Sequence, residues 1–224
     1  MITPITQYCE RTSAAFWAEP INALTNLAFL LAAYGALRLA RQKLQPWRWR
    51  WDWPIAWLIA LIAIIGVGSS LFHTLATFGA MLADVIPIAV YQISFLAIYS
   101  WRIAKLPRWA VGGLVALFLL AGVAMGQVVP PSLHERLNGS TSYAPALLFL
   151  GGMAFYHQRA GRLIAPFALW QAIGLFLLSL TARTFDLVVC AQIPVGLHFL
   201  WHLFNAGVLY LTMRALLLNW RHST

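Results

Sequence analysis

The residues best suited to chemistry fall in two short stretches. Ser69 and His73 are four residues apart, and so are His198 and His202. On an α-helix this spacing puts both side chains of a pair on one face. Two imidazoles at i and i+4 can point at one ion, and a third from another helix completes a three-histidine site with an open position, the donor set of a catalytic zinc. Zinc in such a site lowers the pKa of a bound water to about 7. A carboxylate beside it, for which Asp84 is the candidate, can accept a proton or orient a histidine. A hydroxyl such as Ser69 can hydrogen-bond a developing oxyanion. Haem, with His73 and one of the later pair as axial ligands, is the competing use of the same residues. A retinal Schiff base is excluded, because the only lysines, Lys43 and Lys105, lie between apolar runs.

The elements that carry these residues are apolar. Of 224 residues, 61% are hydrophobic and only 9% charged, against about 45–50% and about 25% in a soluble domain. Fifteen Lys+Arg and six Asp+Glu are too few to coat a water-facing surface. That excludes an ordinary soluble domain, a disordered chain and a disulfide scaffold. An outer-membrane barrel is excluded too, because the apolar residues come in long runs and not in alternation.

Seven runs can be marked, at about Pro20–Leu39, Pro54–Phe72, Ala80–Tyr99, Trp109–Gln127, Ala144–Tyr156, Leu163–Ala182 and Val195–Leu217, the fifth starting as early as Ser142. At roughly 20 residues per span they predict an all-α integral membrane bundle of seven transmembrane helices. With no internal repeat and no long linker, residues 1–224 read as one domain, in which 1–19 form a short extracytoplasmic segment. Neither a basic n-region nor a small-residue cleavage site precedes the first run, so no cleaved signal peptide is expected.

The formal charge of +9 does not point to nucleic acid, because the basic residues sit between the runs. Twelve of them share one predicted side: Arg38, Arg41, Lys43, Arg48 and Arg50; Arg102, Lys105 and Arg108; Arg159 and Arg162; Arg214 and Arg221. Only Arg11, Arg136 and Arg183 lie on the other. The positive-inside rule then puts the N-terminus outside and the C-terminus in the cytoplasm.

This topology brings the reactive residues to one depth. His73 ends the second span, Asp84 follows a turn expected around Gly79, and His198 and His202 open the seventh. Ionisable groups within a span cost roughly 2.5–3.5 kcal/mol on insertion scales, so those that remain usually serve a site. Cys9 and Cys190 fall on the same outer side, where oxidation is permitted. A bridge between them and two inert apolar cysteines are both open. Asn22 and Asn26 share a face of the first span, and Asn205, Gln92 and Gln171 sit within spans. All five are expected to make interhelical hydrogen bonds. Trp17, Trp47, Trp49, Trp51, Trp53 and Trp109 flank spans as interfacial anchors. Asn138-Gly139-Ser140 fits a glycosylation sequon, a pattern short enough to occur by chance.

Several of these stretches resemble the alkaline ceramidases. They are Tyr8-Cys9-Glu10, Phe16-Trp17-Ala18-Glu19-Pro20-Ile21-Asn22, Gly68-Ser69-Ser70-Leu71-Phe72-His73 with Asp84 eleven residues on, and Leu197-His198-Phe199-Leu200-Trp201-His202. The resemblance runs from about Gln7 to Asn205 and is shared in outline with a superfamily that includes the adiponectin receptors. It implies a catalytic zinc on His73, His198 and His202, with Ser69 and Asp84 beside it, and a disulfide between Cys9 and Cys190. It also implies an amide hydrolase of the membrane that cleaves ceramide or a similar long-chain N-acyl lipid to a sphingoid base and a fatty acid. The alternative is a zinc-containing seven-helix receptor without turnover. Asp186 matches an acidic position of the family, with no role assigned. Eukaryotic members build a calcium site from an acidic N-terminal segment. Here only Glu10 and Glu19 match, and Gln7 and Thr12 replace an aspartate and an asparagine. Two carboxylates make a weak calcium site or none. The acid-poor segment resembles bacterial relatives, which implies the inner membrane, with the site toward its outer side.

Overall fold

The structure, a computed structural model, describes residues 5–44 and 49–220, without the side chains of 49–51. Trp47, Arg48 and Arg221 lie outside the described residues, as do the side chains of Trp49, Arg50 and Trp51. The described chain is helical, with no strand. In order the helices are α1 (Pro20–Thr25), α2 (Leu27–Lys43), α3 (Trp49–Leu75), α4 (Phe78–Arg102), α5 (Arg108–Val128), α6 (Pro131–Arg136), α7 (Ala144–Arg159), α8 (Ala168–Phe185) and α9 (His198–Leu218). Five stretches are long and apolar enough to cross a membrane: Pro20–Lys43, Asp52–Leu75, Phe78–Arg102, Arg108–Val128 and Ala168–Phe185. Large apolar side chains point outward from the bundle, Leu31, Leu120 and Leu148 among them. A surface so apolar suits lipid and not water.

Where helix ends differ from the apolar runs, a local polar contact explains it. The first run is two helices joined at Asn26, whose side-chain amide donates to the Asn22 carbonyl at 2.9 Å. The turn before α4 lies at Ala76 and Thr77, not at Gly79. Ala76 has φ 49°, and the Thr77 hydroxyl accepts from the amide of Ala80, so Gly79 is already helical. Helix α8 starts at Ala168, because Gly161 and Ala165 have positive φ and Asn219 holds the backbone of Ile164. Helix α9 starts at His198 and not at Val195. Gly196 turns there with φ 71°, and a carboxylate from the end of α8 takes the next two amides.

The core lies where α2, α3, α8 and α9 meet. Ala32, Ala36 and Ala40, spaced four apart on α2, are buried and let that helix lie close to its neighbours. Helices α3 and α4 approach each other closely where Gly68 lies against the backbone of Ala83. A Cβ on Gly68 would run into the Ala83 carbonyl oxygen, which cannot swing away. That contact places Ser69 of α3 beside Asp84 of α4. Of the amides expected to bond between helices, Asn205 does so, donating to the Ser179 hydroxyl at 2.7 Å. Gln171 instead faces outward.

Gly68→Ala is expected to lower stability by about 1–3 kcal/mol, the usual cost of overpacking. Gly112→Ala on α5, where a Cβ meets nothing, is expected to be neutral or slightly stabilising. Thermal melting of the two variants in detergent checks the pair.

Candidate metal centre

The three histidines meet at one end of the bundle. His73 comes from the last turn of α3, and His198 and His202 come from the first turns of α9. All three are buried, and one ligand atom from each lies within 4.8 Å of the other two. The ring centroids of His73 stand 5.2 Å from His198 and 4.8 Å from His202. Rings packed this closely favour a single ion over a porphyrin.

The outward ring nitrogens show which atoms are free for that ion. His73 Nδ1 donates to Glu19 Oε2 at 2.5 Å. His202 Nδ1 lies 2.9 Å from the Thr25 hydroxyl. Thr25 has one hydroxyl proton, which goes to the Ile21 carbonyl at 2.8 Å. Its oxygen therefore accepts from His202 Nδ1–H. Both contacts leave Nε2 with its lone pair, and His73 Nε2 and His202 Nε2 are buried without a protein partner. His198 Nδ1 is unpartnered as well. Buried nitrogens are rarely left so, and metal-bound histidines usually donate their other nitrogen in this way. The donor set fits a metal ion.

A second carboxylate builds the other wall. Asp186, at the C-terminal end of α8, accepts from the amides of Leu197 at 2.7 Å, His198 at 2.9 Å and Cys9 at 3.2 Å. It thus caps α9 and ties the N-terminal segment to it. Cys9 and Cys190 are joined in a disulfide, with Cα atoms 5.3 Å apart. A side chain at Gly196 would run into both Asp186 and Cys9, so only glycine fits there. The neighbouring Tyr8 is laid over His198, its ring 3.5 Å away and nearly parallel. Burial pushes the Tyr8 phenol up to about 12, against the opposing pull of Arg183.

Asp84 and Ser69 reach the same end of the bundle. The Ser69 hydroxyl faces the Asp84 carboxyl, which lies within electrostatic reach of His73 and Arg183. Arg183 donates to the Tyr8 hydroxyl at 3.1 Å and lies over the rings of Tyr8, Tyr143 and Trp201. Asn138 is exchanged into a reciprocal pair with Arg183, each side chain donating to the other's carbonyl.

Glu10 and Glu19 point their oxygens at different partners. The Glu10 oxygens accept from the amides of Ile21 and Asn22, both at 2.8 Å, at the start of α1. Glu19 accepts from Arg11, His73 and Asn22. Burial alone would raise the Glu19 carboxyl, but these hydrogen bonds hold it below its ordinary value. Spacing in the sequence did not reveal Thr25, Glu19 or Tyr8 as partners of the histidines. The one available signal was an acidic residue directly before the first apolar run.

Next to the centre is an apolar cavity between the helices. Phe29 and Trp201, each with its ring beside a histidine, form its near wall, and Tyr91, Leu209 and Thr212 line it further along the bundle.

These features define a helical membrane-type protein with a buried cluster of three histidines that could hold a metal ion, next to an apolar cavity. A model of the Ceramidase family matches residues 2–222, and the chain belongs to that family. The family implies a hydrolase of amide bonds with a lipid substrate. Among curated proteins, no match was found.

Thr25→Val keeps the shape of the side chain but removes the acceptor for His202 Nδ1–H. It is expected to weaken Zn2+ binding by about 10–100-fold, read by competition with a chromophoric chelator.

Proposed function

We propose that this chain is a zinc-dependent hydrolase within the membrane. It cleaves the amide bond of ceramide, or of a similar long-chain N-acyl lipid, to a sphingoid base and a fatty acid. The observation that carries the reading is the trio of buried, partnerless imidazole nitrogens beside a cavity that suits an acyl chain. In this reading α7 and α9 join the five apolar stretches as spans. The basic loops face the cytoplasm, the metal centre lies toward the outer side, and a bacterial inner membrane is the setting.

His73, His198 and His202 would hold the zinc. When bound, zinc would polarise the scissile carbonyl and make water more acidic. Asp84 takes the proton from the water that attacks the carbonyl carbon. As the C–N bond breaks, it passes that proton to the leaving nitrogen. Ser69, beside it, donates a hydrogen bond to the tetrahedral oxyanion. The apolar cavity takes the acyl chain, with Phe29 and Trp201 directing the carbonyl toward the histidines and keeping out bulk water.

Fatty-acid release from a panel of ceramides by detergent-purified protein tests the proposal, with His202→Ala as the blank. The wild type is expected to turn over. His202→Ala is expected to be inactive, and Asp84→Ala to lose about 10²–10⁴-fold, the usual contribution of a general acid–base group. Zinc-loaded wild type that releases nothing from any ceramide would move the function to another lipid amide or to a receptor.

A further inference from the structure

Arg11 is an arginine where the chain has every reason to avoid one. Its side chain is fully buried at the histidine end of an apolar bundle. A buried charge is tolerated only when it is paired and hydrogen-bonded throughout, and this one is. Nε donates to Glu19 Oε1. Nη1 donates to the carbonyls of Ser13 and Ala15, both at 3.3 Å, and Nη2 to the carbonyl of His73 at 2.8 Å. One carboxylate and three backbone carbonyls thus converge on a single guanidinium.

Oxygen sets of this kind are what calcium takes, but here the guanidinium fills the cage. The remaining oxygens are also committed. Glu10 spends both on the start of α1, and the second oxygen of Glu19 meets His73 Nδ1 and the Asn22 amide. The residues present do not fit a calcium ion.

Arg11 also reaches His73 twice. It holds the backbone through the His73 carbonyl, and it holds the imidazole through Glu19. Without the cation, Glu19 would be a buried carboxylate short of charge compensation. With it, Glu19 remains a strong acceptor that keeps the His73 proton on Nδ1 and leaves Nε2 for the metal centre. A lysine could supply the charge, but not the planar fork that serves four acceptors at once.

We propose that Arg11 is a positioning residue, a built-in cation that stands in place of a calcium ion and sets His73 through Glu19. The inference rests on His73 being a metal ligand. The test uses the full chain in detergent, loaded with Zn2+ or Co2+. Wild type is expected to hold zinc and to melt at the same temperature with excess calcium or with EGTA. Arg11→Ala is expected to bind zinc about 10–100-fold more weakly and to shift the visible bands of the cobalt form. Arg11→Lys is expected to fall between the two. A wild-type melting temperature that rises saturably with calcium would overturn the inference. So would an Arg11→Ala protein with unchanged zinc affinity and cobalt bands. If that variant cannot be purified, an Arg11→Lys protein indistinguishable from wild type would overturn it equally. Wild type that binds neither zinc nor cobalt is a different result, which removes the metal reading and this inference with it.

Discussion

The Glu19 carboxylate, buried between the Arg11 guanidinium and the His73 imidazole, is the contact on which the histidine end of the molecule depends. It joins three things that the chain must bring together. These are the N-terminal segment, the start of the first apolar helix and the C-terminal end of α3. In an apolar bundle there is no water to take over a broken polar contact, so each buried group needs its partners inside the protein. Asp186 solves the same problem on the opposite wall, gathering the amides of Cys9, Leu197 and His198. Two carboxylates, one per wall, thus hold His73 and His198, while Thr25 holds His202. The Cys9–Cys190 disulfide keeps the N-terminal segment, and Tyr8 with it, over the site.

The far end of the bundle is closed by different chemistry. Trp220 donates to Asp52 at 2.8 Å, and the Arg102 guanidinium lies 4.5 Å from the centre of the Trp220 ring. Asn219 imitates a backbone group, accepting from the amide of Ile164 at 2.7 Å and donating to its carbonyl at 3.1 Å. These contacts join the starts of α3 and α8 to the ends of α4 and α9. The apolar cavity therefore lies between two polar closures, and among the described residues the cluster of three histidines that could hold a metal ion is at only one of them.

Much of this was legible in the sequence, for a physical reason. Apolar runs of span length can do little but form helices in lipid, and i, i+4 histidines on such helices must share a face. His73, His198 and His202 could therefore be grouped before any fold was known. What could not be read was the work of single polar contacts. Helix α9 starts three residues late because Asp186 reaches across from α8. The first run breaks at Asn26, and the turn before α4 is made at Ala76, a residue with positive φ that carries no glycine signal. The partners of Glu10 and Glu19 were hidden for the same reason. As a pair of acids they suggested a weak calcium site or none. Their real partners are two amides eleven and twelve residues on and an arginine that lies between them in the chain. The cation was present in the sequence, but as a side chain.

The central claim is that His73, His198 and His202 share one metal ion. X-ray absorption at the zinc edge of the purified wild-type protein tests it most directly. The account predicts one zinc per chain with three imidazole nitrogens at about 2.0–2.1 Å and a light-atom ligand in the open position. A spectrum showing fewer than three imidazoles, or sulfur ligation, would contradict it, as would protein that takes up no zinc.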